Sequence, residues 1–250
     1  MSNKAVSVKD LNFSYANDKS ILKDISFDVF EGETIGLIGP NGAGKTTLLL
    51  HLNGILHGKG EIFIKGQEMS PRNLNQIRKE VAFVFQDPEI QLFMPTVYED
   101  VAFGPLNMGC SKETIDAKVD EALKKINMLS FKNSITHHLS LGEKRKVSLA
   151  TVLSMEPSIL ILDEPSANLD PSSKNNLVSL LKSFKVTKII ASHDLDLIYR
   201  LCSRCILMSG GQIVADGKAE EVLANKALLE LNCLEEPLLL RLDKIKMPAF

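Results

Sequence analysis

Apolar and polar residues alternate over Val6-Ser7-Val8 and Leu11-Asn12-Phe13-Ser14-Tyr15, and again over Ile25-Ser26-Phe27-Asp28-Val29. A period of two predicts half-buried strands, and the second run closes at the turn Glu31-Gly32-Glu33. Residues 34–38 form a short apolar strand, a helix begins at Thr46 and runs to Leu52, and Glu61-Ile62-Phe63-Ile64 is a strand closed by Lys65-Gly66. Val81-Ala82-Phe83-Val84-Phe85 reads as a buried strand ending at Gln86-Asp87-Pro88. From about Thr96 to Ser154 the pattern is mainly helical, with breaks expected at Gly104-Pro105 and Gly109. Between Lys112 and Met128, Ile115, Val119, Leu123 and Ile126 fall near a helical period. Strands resume at Ile159-Leu160-Ile161-Leu162 and Lys188-Ile189-Ile190-Ala191. The runs 205–208 and 212–214, joined across Gly210-Gly211, predict a hairpin, and a leucine-rich stretch follows from Leu228 to Leu240.

These elements predict an α/β chain: a nucleotide-binding core with an added antiparallel sheet and an inserted helical subdomain. The expected boundaries are 1–95 and 155–220 for the core with its β subdomain, 96–154 for the helical insert, and 221–250 for a C-terminal tail.

Composition narrows the function. The 250 residues are 44% hydrophobic and 24% charged, ordinary for a globular protein. A net charge of -2 implies no general affinity for polyanions, so no nucleic-acid partner is expected. No stretch approaches the roughly 18 uninterrupted apolar residues of a membrane span, and the N-terminus does not read as a signal peptide. The expected location is cytoplasmic, with membrane contact made through a partner. Cys202 and Cys205 form a lone C-x-x-C without nearby ligands and read as buried thiols at a helix-to-strand junction. His137 and His138 read as surface or packing residues.

The chemistry begins at Gly39-Pro40-Asn41-Gly42-Ala43-Gly44-Lys45-Thr46, which matches G-x-x-x-x-G-K-[ST] in full between a predicted strand and a predicted helix. The backbone N–H groups of Gly42, Gly44 and Lys45 can cradle phosphate, and the helix N-terminus adds positive partial charge. Lys45 would bridge the β- and γ-phosphates, and Thr46, followed by Thr47, would ligate Mg²⁺. Asp163 follows four apolar residues at a strand end, where its carboxylate would hold Mg²⁺. The adjacent Glu164 can act as general base or water-positioner. His193, after Ser192 at the next strand end, could bond the γ-phosphate. Tyr15 on its own reads as a tyrosine packed at a strand end.

Between the phosphate loop and Asp163 lies Leu139-Ser140-Leu141-Gly142-Glu143. It resembles the Leu-Ser-Gly-Gly-Gln signature of the ATP-binding-cassette (ABC) family, with departures at Leu141 and Glu143. With Pro165, Ser166 and Ala167-Asn168-Leu169-Asp170, the motifs follow family order from Tyr15 to His193. The resemblance implies a phosphate-loop NTPase (RecA-like) fold forming a single ABC ATPase domain that binds ATP and Mg²⁺. It implies that Glu164 polarises the attacking water, that Gln86 senses the γ-phosphate and shares the metal, and that Tyr15 stacks on adenine. Two cassettes would close head to tail, so that Ser140 and Gly142 contact the ATP of a second subunit, identical or related. Lys144, Arg145 and Lys146 read as a solvated basic face.

Gln91-Leu92-Phe93, the stretch from Thr96 to Asn107, and Leu234-Glu235-Glu236-Pro237 resemble the ATP-binding subunits of energy-coupling-factor importers, most of all their cobalt/nickel branch. The implied function is an ATPase subunit that energises a membrane importer of a micronutrient, cobalt or nickel ion first. The alternatives are a vitamin importer of the same type, or a soluble ABC ATPase acting on nucleic acid or ribosomes. The implied partners are integral membrane subunits, one of which would dock a short helix against Phe93, Met94 and Phe103.

Overall fold

The structure, a computed structural model, describes residues 3–15 and 20–246. Strands β1 (Lys4–Ser14) and β2 (Ser20–Phe30) pair antiparallel, and β4 (Lys59–Ile64) and β5 (Gln67–Glu68) extend them into a four-stranded sheet of order β2-β1-β4-β5. The second sheet contains β3 (Thr34–Ile38), β6 (Val81–Val84), β7 (Ile159–Asp163), β8 (Thr187–Ala191), β9 (Arg204–Ser209) and β10 (Gln212–Lys218). Its order is β10-β9-β3-β8-β7-β6, with only β10 antiparallel to its neighbour. Every residue of β6, β7 and β8 is buried, which explains the apolar runs 81–84, 159–162 and 189–191: a parallel sheet is covered on both faces.

The helices are α1 (Lys45–Leu52), α2 (Leu74–Glu80), α3 (Pro88–Gln91), α4 (Val97–Asn107), α5 (Lys112–Lys125), α6 (Leu141–Leu153), α7 (Pro171–Ser183), α8 (Leu195–Leu201), α9 (Ala219–Ala224), α10 (Lys226–Leu231) and α11 (Leu238–Lys246). One apolar cluster joins the antiparallel sheet and α1 to one face of the parallel sheet, through Leu22, Ile25, Leu48, Leu49 and Ile189 among others. The other joins α4 to α8 to the opposite face, through Val101, Val119, Val147, Leu160 and Leu177 among others. The phosphate loop therefore leaves β3 between two packed layers, at the carboxyl edge of the parallel strands where α/β sheets bind ligands.

The expected break at Gly104-Pro105 does not occur. Helix α4 runs through both residues to Asn107, and Gly109 lies just beyond its end. Proline at 105 removes the donor that would bond the Val101 carbonyl. The Ser154 hydroxyl donates to that carbonyl at 2.9 Å instead, so the helix continues without an orphaned acceptor. Gly104 serves packing: a Cβ there would lie 2.6 Å from the Met155 side chain. The start of α4 is fixed by Thr96 and Glu99, which form a reciprocal capping box.

Candidate active site

The loop from Gly39 to Lys45 takes a path that only glycine tolerates at two points. Gly39 has φ 147° and a Cβ there would lie 2.2 Å from the Met208 carbonyl oxygen, while Gly44 has φ 101° as the N-cap of α1. Lys45 is 8% exposed, and its Nζ donates to the carbonyls of Gly39 at 2.7 Å and Pro40 at 3.1 Å. Burial pushes its pKa below the usual lysine range, while the charges of Glu164 and Asp163 pull it back. An ammonium has three donors, so one remains for an incoming anion beside the α1 N-terminus.

The Thr46 hydroxyl donates to Asp163 Oδ2 at 2.8 Å, joining the start of α1 to the end of β7. Asp163 is 3% exposed, and its Oδ1 is buried without a partner among the described residues. Burial raises its carboxyl above the ordinary range, against the Thr46 hydrogen bond and the Lys45 charge. A buried, half-satisfied carboxylate beside a threonine hydroxyl is a hard-oxygen donor set, and it fits Mg²⁺.

Glu164 is 8% exposed and sits at φ 46°, a left-handed backbone that a non-glycine residue adopts at a cost. Its side chain accepts from the Ser192 hydroxyl at 3.1 Å and from the His193 backbone N–H at 3.0 Å, and His193 Nδ1 lies 2.8 Å from Oε2. The His193 side chain is 62% exposed at the cavity wall, and both its ring and its backbone reach the glutamate.

These groups converge on one cavity of about 1120 Å³. Its walls include Tyr15, the whole phosphate loop from Gly39 to Thr47, Gln86, Glu164 and His193. Tyr15 is 48% exposed, and its hydroxyl lies 3.5 Å from Thr47 Oγ1, so it stands at the rim rather than in the core. Asp163 lies behind Thr46 rather than in the wall. Ser140 and Gly142 are not brought to this cavity. They line a separate pocket of about 120 Å³ between α6 and α7.

Ser140 caps α6. Its hydroxyl and its backbone N–H both donate to Glu143 Oε2, at 2.7 and 2.8 Å, completing a capping box. Leu141 is 39% exposed and projects outward. The basic run behind it is not a solvated face. Lys144 pairs with Glu89 at 2.6 Å, and Arg145 is 2% exposed with its guanidinium on backbone carbonyls. The reason is that α6 is overlaid by the segment after β6 and by the segment before α7, so Lys144 meets a carboxylate and Arg145 meets carbonyls, while Lys146 stays half-exposed.

Several residues reach the site without having been marked as site residues by the sequence. Residues 233–238 form part of the cavity wall, and the Leu239 N–H docks on Asp196 Oδ1 at 2.9 Å. Ser192 holds Glu164, and Asp194 accepts from Ser166 and Lys174. His137 and His138 are exposed. Cys202 and Cys205 are buried, and burial pushes both thiols up, Cys205 to about 12.

A parallel sheet, a phosphate loop opening a helix, and an acidic pair at the neighbouring strand end define a phosphate-loop nucleoside triphosphatase. The ABC transporter family profile matches residues 22–167. The chain is 48% identical over 234 residues to a putative ABC transporter ATP-binding protein of Streptomyces avermitilis, covering 93% of this chain and 89% of that one. It is 45% identical over 226 residues to the energy-coupling factor transporter ATP-binding protein EcfA of Methanocaldococcus jannaschii, covering 88% and 81%. It superposes on the structure of cbiO1 from Clostridium perfringens, described as part of the ABC transporter complex cbiONQ, with TM-score 0.83, 37% identity and 97% of each chain covered. The chain belongs to the ABC transporter family, as an ATP-hydrolysing subunit of the energy-coupling-factor type.

Proposed function

We propose that this chain hydrolyses ATP at the Lys45–Glu164 cavity to drive a membrane importer whose cargo is cobalt or nickel ion. The observation that carries the hydrolytic reading is the convergence of Lys45, Thr46, Gln86, Glu164 and His193 on one cavity. Phosphates lie on the backbone N–H groups of Gly42, Gly44 and Lys45, the Lys45 side chain bonds the β- and γ-oxygens, and Tyr15 covers adenine. Thr46, Gln86 and Asp163 would hold Mg²⁺, which supplies charge stabilisation to the phosphates. Water attacks the γ-phosphorus in line, Glu164 accepts the water proton, and the bond to the ADP oxygen breaks. The His193 ring, facing the cavity, bonds the γ-phosphate oxygens, and Gln86 senses their loss.

A second cassette, identical or related, completes each site with its Ser140 and Gly142. The placement of these residues outside their own chain's cavity supports this reading. Closure on ATP and reopening after hydrolysis would move a docked membrane subunit by shifting populations. Phe93 and Phe103, 57% and 38% exposed, meet edge to face at 4.9 Å and offer an apolar ridge beside Met94 for a short helix of that subunit. The protein would then sit on the cytoplasmic face of the membrane. Among the described residues no helix is long and apolar enough to cross a membrane.

The likeness of Gln91-Leu92-Phe93 and of the stretch from Thr96 to Asn107 to the cobalt/nickel branch of energy-coupling-factor importers favours cobalt or nickel over a vitamin as cargo. The test is affinity purification from membranes, identification of the integral proteins recovered, and uptake of radioactive cobalt, nickel and vitamins by vesicles carrying that complex. ATP-dependent uptake of a metal supports the reading, and uptake of a vitamin with neither metal overturns it.

A further inference from the structure

Phe85, the residue before Gln86, is gripped at both its N–H and its carbonyl by side chains fastened to α6. Gln91 Oε1 accepts from the Phe85 N–H at 3.1 Å, and Gln91 Nε2 donates to the Ser148 carbonyl at 2.9 Å and to Thr151 Oγ1 at 2.8 Å. Arg145, on α6 itself, donates through Nη1 to the Phe85 carbonyl at 3.0 Å and through Nη2 to the Ala167 carbonyl at 3.5 Å. Its Nε is buried with no partner among the described residues. Asp87 is the acidic group whose charge offsets the burial of this cation.

A buried guanidinium with an unpaired N–H is a costly way to fill space, and a neutral side chain of similar volume would pack better. What arginine adds is a rigid planar fork that reaches two carbonyls at once. Those carbonyls belong to the segments carrying Gln86 and following Glu164. Helix α6 begins at Leu141, capped by Ser140. Arg145 lies five residues after Ser140, roughly 7.5 Å along one rigid cylinder.

We propose that Arg145, with Gln91, is a positioning residue that ties the N-terminus of α6 to Gln86 and to the segment after Glu164. Whatever contacts Ser140 therefore sets the geometry of this chain's own hydrolytic site. In the paired cassettes, ATP held in one half-site would align the other. The inference rests on the roles proposed above for Gln86, Glu164 and Ser140.

The experiment measures ATP hydrolysis against ATP concentration, equilibrium binding of a fluorescent ATP analogue, and melting temperature, in the complex purified with its partners. Arg145→Met should bind the analogue within about threefold of the wild type while kcat falls about 10- to 100-fold, the signature of misplacement remote from the chemistry. Arg145→Lys, which reaches one carbonyl, should recover part of that loss. Wild-type kcat in folded Arg145→Met overturns the proposal, as does a loss confined to nucleotide affinity. Should Arg145→Met not fold, Gln91→Leu, which frees the Phe85 N–H and leaves the cation in place, decides by the same readouts. Glu164→Gln runs alongside. Wild-type turnover there removes the functional reading itself, whereas a silent Glu164→Gln beside fully active Arg145→Met and Gln91→Leu removes only this inference.

Discussion

Glu164 and His193 are joined twice: the His193 backbone N–H donates to Glu164 Oε1 at 3.0 Å, and Nδ1 of its ring lies 2.8 Å from Oε2. The backbone bond survives any substitution at 193 except proline, and the ring contact does not. His193→Ala should therefore keep its fold and bind ATP, while kcat falls by about 10²-fold or more, the usual weight of a group acting at the reacting centre. Turnover and analogue binding measured together check this. An unchanged kcat would make the ring a bystander.

Leu141 stands where the family signature has glycine, yet its side chain is 39% exposed and the following Gly142 is retained. A leucine pointing outward leaves the backbone near Ser140 free to approach a partner's ATP. Leu141→Gly is expected to give turnover equal to or above wild type, with stability lower by up to about 1 kcal/mol from the glycine entering a helix. Steady-state rates and denaturant melts are the check. A collapse of turnover would mean that the leucine itself makes a needed contact.

Glu143 closes the capping box on Ser140. Glutamine preserves that geometry and alanine does not. Glu143→Gln should melt near the wild type, and Glu143→Ala should lose about 1 kcal/mol, typical of a lost cap. Urea midpoints of the two variants decide this, and equal stabilities would leave the capping box without energetic weight.

His51 predicts a pH dependence of stability. It is 1% exposed, its Nδ1 bonds the Thr47 carbonyl at 2.7 Å, and its Nε2 is buried without a partner among the described residues. Burial lowers its pKa, and the nearby His57 charge lowers it further. The unfolded chain takes up this proton near about pH 6.5 and the folded chain only at lower pH. Stability from this group is thus fully present above the unfolded value and lost as pH falls below it, with a slope of at most about 1.4 kcal/mol per pH unit. Urea unfolding across that window should show the slope in wild type and a flatter one in His51→Gln. The same slope in both would assign it to other groups.

Much of this site was legible because its residues sit at spacings that geometry demands. The phosphate loop needs glycines where φ turns positive, and the carboxylates Asp163 and Glu164 need a strand end beside it. Other features were not. Helix α4 crosses Pro105 because Ser154, far along the chain, satisfies the Val101 carbonyl. Arg145 reads as surface charge in a local window, and only the neighbouring segments that cover α6 make it a buried bracket. The approach of residues 233–238 to the cavity depends on docking against α8, which no local pattern encodes.

The claim at the centre is that Glu164 activates the water that cleaves ATP. The most direct measurement is phosphate release by purified wild type and Glu164→Gln at saturating ATP and Mg²⁺, with nucleotide retention measured in parallel. The account predicts a fall in kcat of about 10²- to 10⁴-fold with ATP binding kept, and closed dimers accumulating on ATP. Wild-type turnover in Glu164→Gln would contradict it.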